Sequence, residues 1–309
     1  MKKVFIDGKA GTTGLRIEER LSGRDDIEIV TISEELRKDP VAKKEILNSV
    51  DVAFLCLPDV ASIESVSLID NPDVVVIDTS TAHRTNPSWA YGFPELDKSF
   101  EEKIRNSKRI AVPGCHASGF IALVYPLVKN GIIGKDALLT AHSLTGYSGG
   151  GKKMIADYES DELELLLQGP RQYGLTQKHK HLPEMINVTG LENEPVFCPI
   201  VGTFYSGMEV TVPLFKSQLL KGGIDEIKEI YKNTYNGNIV SYVENDDESG
   251  FLSSVKLEGK DSMQIEVYGN EDRILLVARY DNLGKGASGA AVECLNIVLG
   301  ADKTKTLEI

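Results

Sequence analysis

The sequence predicts an α/β domain built on a parallel sheet, then a larger α+β domain with a mixed or antiparallel sheet, then a final helix. Three observations carry this. At roughly 150 residues per domain, a chain of 309 residues holds about two domains and can bury a sizeable core. Its first ~115 residues alternate short, unbroken apolar runs with helical patterns, as strands covered on both faces do. Beyond about residue 135 the runs lengthen and alternate apolar with polar side chains, as in a sheet with one covered face.

Taken in order, residues 3–7, 27–32, 51–57, 74–78 and 109–112 read as strands rich in β-branched side chains, with helices at 13–21, 41–48 and 61–68 between them. Residues 118–129 read as a helix that Gly131 and Gly134 terminate. In the second part, 137–145, 208–215, 253–257, 264–268 and 274–280 read as strands. Val210, Val212 and Leu214 there alternate with Thr211 and Pro213. Helices are predicted at 153–167 and 224–235, and 245–250 (NDDESG) is an acidic loop. Residues 283–299 close the chain with an apolar helical face of Ala287, Ala290, Ala291, Cys294, Leu295 and Val298.

Composition removes several classes of function. Lys plus Arg total 34 against 46 for Asp plus Glu, a net charge of −12, so the bulk field suits neither nucleic acid nor an anionic membrane. An anionic ligand must be held by a local device, such as a helix N-terminus or a placed Arg or Lys. The longest apolar runs, such as 74–77 and 121–124, are too short to span a bilayer. The opening MKKVFID has no apolar core before Asp7 and reads as a strand rather than a signal peptide. Cys56, Cys115, Cys198 and Cys294 form no CxxC pair, which supports neither a zinc ribbon nor a dithiol motif; a reduced, cytoplasmic protein is expected.

Residues 7–14, DGKAGTTG, join the first strand to the first helix. Gly8 permits a tight turn, Gly11 a close approach to a pyrophosphate, and Gly14 close packing of helix on strand. Thr12 and Thr13 complete the loop, and the N–H groups of the helix that follows suit a phosphate. The pattern is GxxGxxG rather than GxGxxG. An ordinary βα turn is the plainer alternative, but the place at the first strand–helix junction argues for a Rossmann-type dinucleotide site. The second strand ends near Ser33, followed by Glu34, Glu35, Leu36, Arg37 and Lys38. An NAD site usually carries an acid there; a hydroxyl and a basic pair fit a 2′-phosphate, so NADP is expected on Ser33, Arg37 and Lys38, although two glutamates stand beside them.

Residues 110–119, IAVPGCHASG, run from a strand into a helix and put Cys115 at or near its N-terminus, where the dipole favours a thiolate. Pro113-Gly114 makes the turn, and Ser118 is the expected cap. Cys56 and Cys294 lie on apolar runs and suit packing, while Cys198 is undecided. In HKHLPE, His179 and His181 stand two residues apart, and either suits the acid/base partner of a thiol. A zinc site from these with Cys115 or His142 lacks a ligand cluster at recognised spacing, so no metal is expected. His83, His116 and His142 each suit a structural role. The loop 146–153, GYSGGGKK, offers N–H groups and lysines as an anion cradle; Lys153 stands where a Walker A loop needs Ser or Thr, which disfavours ATP chemistry.

A dinucleotide fold, one activated cysteine, one histidine and anion cradles describe hydride exchange at a thioester or thiohemiacetal. Across 8–14 (GKAGTTG), 54–59 (FLCLPD), 78–84 (DTSTAHR), 91–96 (YGFPEL), 113–119 (PGCHASG), 146–152 (GYSGGGK), 179–184 (HKHLPE) and 281–291 (DNLGKGASGAA), in that order, the chain resembles the N-acetyl-γ-glutamyl-phosphate reductases of arginine biosynthesis, their shorter variety in particular.

The resemblance implies NADP-dependent reduction of N-acetylglutamyl 5-phosphate to the 5-semialdehyde plus phosphate. It implies Cys115 as nucleophile and the His179/His181 pair as acid/base; His181 is favoured, though spacing does not separate them. Asn282 would lie near the nicotinamide, and Arg84, Ser148 and Gly149 near the substrate carboxylate or phosphate. The implied organisation is a Rossmann domain over 1–115, a catalytic, substrate and dimerisation domain over 116–282, and a helix within 283–309 that packs back on the first domain. The partners would be the small-molecule substrate and phosphate, with a homo-oligomer, dimer or tetramer, and neither nucleic acid nor membrane. His116, Ala117 and Ser118 depart from the commoner Tyr or Phe, Pro or Ala, and Thr, and Thr145 from a commoner Ser; His116 adds a rival imidazole beside the thiol. Two alternatives remain: a related semialdehyde dehydrogenase of aspartate or aminoadipate type, and a non-catalytic NADP-binding module, which would need neither Cys115 nor the histidine pair. An acidic chain must hold these anions on local devices: the helix after Gly14, Arg37 with Lys38, Arg84, and the loop ending at Lys152. The cofactor pocket is expected to be a small positive island.

Overall fold

The unbroken apolar runs of the N-terminal part become a parallel sheet because both of their faces are covered. In the computed structural model, which describes residues 1–37 and 39–309, β1 (Lys2–Asp7), β2 (Ile27–Val30), β3 (Val52–Leu55), β4 (Val75–Asp78), β5 (Ala90–Tyr91) and β6 (Arg109–Ala111) lie in the order β2-β1-β3-β4-β6-β5, all parallel. The helices between them are α1 (Thr12–Leu21), α2 (Pro40–Ser49), α3 (Asp59–Ser67) and α4 (Lys98–Asn106). On one face, Val4, Ile6, Phe54 and Ile77 bury with Ile17 of α1, Ile104 of α4 and Leu295 of the C-terminal helix. On the other, Phe5, Ala53, Leu55 and Val76 bury with Leu47 of α2 and Val66 of α3. Asp39 starts α2 by accepting from the N–H groups of Val41 and Ala42 at 2.8 and 3.2 Å, and Pro40 sits at the position where a missing N–H costs nothing. This compact unit comprises residues 1–94, 98–114 and 287–307.

The second unit, residues 95–97, 115–286 and 308–309, is built on a mixed sheet. Its elements are α5 (Cys115–Lys129), β7 (Thr140–Thr145), α6 (Gly151–Tyr158), β8 (Arg171–Gln172), α7 (Leu182–Thr189), β9 (Val196–Val201), β10 (Met208–Phe215), α8 (Ile224–Thr234), β11 (Val240–Tyr242), β12 (Met263–Gly269) and β13 (Arg273–Tyr280). The strand order is β11-β12-β13-β10-β7-β9-β8, with β10 antiparallel to both its neighbours. Met208, Val210, Val212 and Leu214 bury one face of β10, while Glu209, Thr211 and Pro213 are half-buried on the other. After β13 a π-helical turn, Gly284–Ser288, leads into α9 (Gly289–Leu299), part of the first unit.

Helix α5 lies on this sheet by close approach. A Cβ on Gly119 would stand 2.6 Å from Val210 Cγ2 and 2.7 Å from Tyr280 Oη, so a glycine is required there. Pro126 interrupts the helix's bonding, because it has no N–H for the Ala122 carbonyl. Tyr235 of the segment after α8 supplies the donor instead, its hydroxyl 2.6 Å from Ala122 O.

Three expectations are corrected. Residues 253–257 form no strand; their backbone closes i→i+3 turns, with Lys256 N–H to Ser253 O at 3.2 Å and Glu258 N–H to Val255 O at 3.0 Å. The helix expected over 153–167 ends at Tyr158, ahead of a turn in which Ser160 Oγ accepts from the Glu162 N–H. Helix α5 begins at Cys115, so Ser118 lies inside its first turn and is not its cap. Among the described residues no helix is long and apolar enough to cross a membrane.

Candidate active site

At the carboxyl ends of β1 to β3 a cavity of about 450 Å³ opens. The chain leaves β1 for β2 on one side and returns to β3 on the other, and such a switch point is where open α/β sheets bind ligands. Gly8 lines it with φ +80°, and a Cβ there would lie 2.3 Å from Cys56 O, so only glycine makes this turn. Gly11 N–H closes the loop on Gly8 O at 2.9 Å, and Gly11 is the residue before α1. Thr12, Thr13 and Gly14 form the first turn of α1. A Cβ on Gly14 would stand 2.7 Å from Gly8 O and Lys9 Cα, so Gly14 seats the helix on the loop rather than on the strand. A cradle that a Cβ would fill, followed at once by a helix N-terminus, fits a dinucleotide pyrophosphate.

Arg37 lines the cavity, with its Nε 3.1 Å from Glu34 Oε2. Ser33 does not line it: β2 stops at Val30 and the backbone turns, Leu36 N–H reaching Ser33 O. Lys38 lies outside the described residues. Sequence reasoning missed Lys43, which reaches the cavity from α2 with its Nζ 2.8 Å from Asp7 Oδ2. Among the described lining residues, Lys9, Arg37 and Lys43 are matched by Asp7, Glu34 and Glu64. Among the described lining residues the charges therefore balance, while Lys38, which the expected positive island included, lies outside them.

Beyond β4, the DTSTAHR stretch is a knot centred on buried Asp78, which accepts from the hydroxyls of Ser62 and Ser80 and lies 2.6 Å from His83 Nδ1. His83 stacks on Trp89 with ring centroids 4.0 Å apart. Arg84 is buried and gives Nε to Val112 O and an Nη to Thr79 O, both at 2.8 Å. In this structure it ties the backbone beyond β4 to that beyond β6, the stretch leading to residue 115.

In the second unit Cys115 is the first residue of α5 and half-buried. Tyr280 Oη donates to its carbonyl at 2.5 Å and accepts from Gly119 N–H at 3.0 Å, pinning the first turn of the helix. A Cβ on Gly286 would lie 3.1 Å from both Cys115 Cβ and Asp281 O, so the backbone of the turn after β13 packs tightly against Cys115. Two histidine rings gather around the next residue, His116. His116 lies 5.6 Å from His179 and 5.7 Å from His181, which are 4.8 Å from each other. His181 N–H donates to His179 Nδ1 at 3.2 Å. Burial, then the charge of Lys180, pushes the His179 imidazole down to about 4. Burial, then His179 and Lys180, pushes His116 down to about 3. His116 is no rival base: its two nitrogens lie 2.6 Å from Ser143 Oγ and Tyr173 Oη. Burial and then the Cys115 charge hold the Tyr173 phenol above its usual range. Ser143 and Tyr173 carried no motif in the sequence, so only the fold reveals them.

The structure also brings Ser148, Gly149 and Asn282 together. Asn282 Nδ2 donates to Ser148 Oγ and its Oδ1 accepts from Gly207 N–H, both at 3.0 Å; Nδ2 is also the atom nearest to where a Gly149 Cβ would stand. Asp281 anchors the turn, accepting from Leu283 N–H and Ser206 Oγ. In the loop expected to cradle an anion, 146–153, the N–H groups of Gly146, Tyr147, Ser148 and Gly149 are all taken by carbonyls, while Lys152 and Lys153 lie in the first turn of α6. Among the described residues no group of three or more His, Cys, Asp or Glu is arranged to hold a metal ion.

Two family models match the chain: semialdehyde dehydrogenase, NAD binding domain, over residues 4–106, and semialdehyde dehydrogenase, dimerisation domain, over residues 115–282. Among solved structures it is similar to aspartate semialdehyde dehydrogenase II of Vibrio cholerae, with a TM-score of 0.73 at 16% identity over 97% of this chain and 98% of that one. An aspartate semialdehyde dehydrogenase from Francisella tularensis gives the same score at 14% identity, so this likeness speaks for the fold. Among curated relatives, the N-acetyl-gamma-glutamyl-phosphate reductase of Sinorhizobium medicae is 45% identical over 97% of this chain and 99% of its own. That of Chelativorans sp. is 47% identical over 96% and 98%. With this identity running through both units, the chain belongs to the N-acetyl-gamma-glutamyl-phosphate reductase family, on the semialdehyde dehydrogenase fold.

Proposed function

We propose that this protein reduces N-acetyl-L-glutamyl 5-phosphate to N-acetyl-L-glutamate 5-semialdehyde, releasing phosphate, with NADPH as reductant, in the arginine biosynthesis of the cytoplasm. The observation that carries the reading is Cys115 at the first position of α5, with the rings of His179 and His181 gathered around its neighbour. The Cys115 thiolate attacks the acyl carbonyl; a C–S bond forms and the bond to phosphate breaks. The first N–H groups of α5 stabilise the sulfur's charge and the oxyanion. A bound reduced nicotinamide supplies hydride to the thioester carbonyl. His181 protonates the resulting oxyanion, then takes the proton back as the C–S bond breaks and the aldehyde leaves. His179 suits this less, because its Nδ1 lone pair is committed to the His181 N–H. Ser148 accepts from Asn282 and so keeps a hydroxyl proton for the substrate's carboxylate or phosphate, beside Gly149. Arg84, which ties Val112 O to Thr79 O, is assigned to the same substrate groups on the family resemblance.

Gly8 to Gly14 would hold the pyrophosphate, Arg37 the 2′-phosphate that makes NADP the preferred cofactor, and Asn282 the nicotinamide end. Arg37 and Glu34 are both exposed, and such a surface pair exchanges readily for a phosphate. The protein works as a homo-oligomer whose contact is the open face of the seven-stranded sheet, where Val196 and Leu275 are exposed.

The test is a substrate comparison with purified protein. NADP should be reduced with N-acetylglutamate semialdehyde only when phosphate is present, and Cys115→Ser should abolish it. His181→Gln should lower kcat about 10²–10⁴-fold, and more than His179→Gln does. Equal or faster turnover of aspartate semialdehyde would move the assignment to that class, and no turnover with any semialdehyde would leave a cofactor-binding module.

A further inference from the structure

Two of the cations that line the dinucleotide cavity are paired with acids in opposite ways. Arg37 and Glu34 meet at 3.1 Å with side chains 50% and 76% exposed. Lys43 and Asp7 meet at 2.8 Å with side chains 16% and 13% exposed. The first pair is open to exchange for a phosphate; parting the second would leave a largely covered carboxylate uncompensated. Lys43 sits in the first turn of α2, four residues before the fully buried Leu47, so both share the covered face of the helix. Asp7 ends β1 and directly precedes Gly8, where the loop assigned to the pyrophosphate begins. A bare carboxylate at that place would repel a pyrophosphate. Ser65 Oγ stands 3.3 Å from Asp7 Oδ2, but it has a nearer acceptor in Ala61 O at 2.8 Å. A hydroxyl has one proton, so Lys43 is the group that balances Asp7.

We propose that Lys43 is a positioning residue for the dinucleotide: it stays on Asp7, cancels that charge, and so lets the loop from Gly8 to Gly14 accept a polyanion. Its effect is the same for either nicotinamide dinucleotide. Arg37, by contrast, leaves Glu34 for the 2′-phosphate and selects between the two. Lys43 therefore sets affinity and Arg37 sets choice, although both are cations lining one cavity. The proposal rests on the reading of this cavity as the dinucleotide site, not on the acyl substrate or on Cys115.

The experiment is fluorescence titration of NADPH, and separately of NADH, into the purified full chain with no acyl substrate present. Lys43→Met keeps an apolar stem and removes the charge, so it should weaken both dinucleotides by the same factor, roughly tenfold. Asp7→Asn removes the carboxylate and leaves Lys43 positive, so it should tighten both, and the gain should shrink as salt rises. A pair that served only as scaffolding would weaken binding when either member is lost, so the opposite sign separates charge from scaffolding. The double variant Asp7→Asn/Lys43→Met should bind both dinucleotides about as the unaltered protein does, because the two charges act as one unit. A loss confined to NADPH in Lys43→Met would make Lys43 a ligand of the 2′-phosphate and overturn the proposal. Unchanged binding in Lys43→Met, or weaker binding in Asp7→Asn, would overturn it as well. Should Lys43→Met not fold, the sign of the change in Asp7→Asn decides alone. Any of these contrary results in a protein that binds NADPH leaves the cofactor reading in place; an unaltered protein that binds neither dinucleotide overturns both.

Discussion

Gly8 and Lys43 show what a single position can and cannot disclose. Gly8 holds φ +80° with no room for a Cβ against Cys56 O, and its place between a strand and a helix announces this in the sequence. Gly8→Ala should cost about 1–3 kcal/mol of stability and weaken NADPH binding together. Urea denaturation and NADPH fluorescence titration measure the two; an alanine variant that binds as tightly as the original would end the pyrophosphate role of the loop. Cys115 was equally legible, because Pro113-Gly114 before a helical pattern puts it at a helix start. Lys43 was not legible. On α2 it reads as part of a solvated face, and only the parallel pairing of β1 brings Asp7 to its Nζ. Ser33 failed for the converse reason: it stood at the right place in sequence, but β2 ended three residues earlier.

Among the elements, α5 ties the second unit together. Its Pro126 leaves the Ala122 carbonyl without a helical donor, and the fully buried Tyr235 repairs this through its hydroxyl. Tyr235→Phe keeps the ring and removes only that donor, so it should cost about 1–3 kcal/mol, the penalty of an unsatisfied buried carbonyl. Chemical denaturation is the measurement; a change within error would mean water takes the tyrosine's place. Strand β10 was legible to the residue, because strict alternation over Met208–Phe215 has one reading. Residues 253–257 were not, since a short apolar stretch reads as a strand whether or not a neighbour is present to pair with it.

For the whole molecule, pH is the sharpest probe of how the histidine cluster is held. His116 and His179 are pushed from 6.5 down to about 3 and about 4 in the folded chain, chiefly by burial. As pH falls below 6.5 the unfolded chain takes up protons that the folded chain refuses, so stability falls, and it continues to fall until the folded values are reached. Above pH 7 both imidazoles are neutral in either state and the full stability is present. The slope should approach about 1.4 kcal/mol per pH unit for each histidine. Carboxylates held down by partners, such as Asp26 beside Arg24 and Glu248 under Arg279 and Lys256, lose their contribution only as pH falls below about 4.5, so a comparison above pH 5 isolates the histidines. Urea midpoints at pH 7.5 and 5.5 should differ accordingly, and His116→Gln should remove about half the difference; equal midpoints would contradict neutral, buried imidazoles. The net charge of −12 belongs to this scale as well: it excludes a bulk attraction for anions, while the described residues lining the cavity beyond β1 to β3 carry charges of both signs in equal number. The sequence by itself determined the two kinds of sheet, the glycine loop and the place of Cys115 at a helix start, because these rest on local periodicity and turn chemistry. Tertiary structure alone decided which charges share the cavity, that Arg84 serves backbone carbonyls, and that Ser143, His116 and Tyr173 form one chain of hydrogen bonds. Those contacts join residues far apart in sequence, and no local pattern encodes a partner that only folding brings within reach.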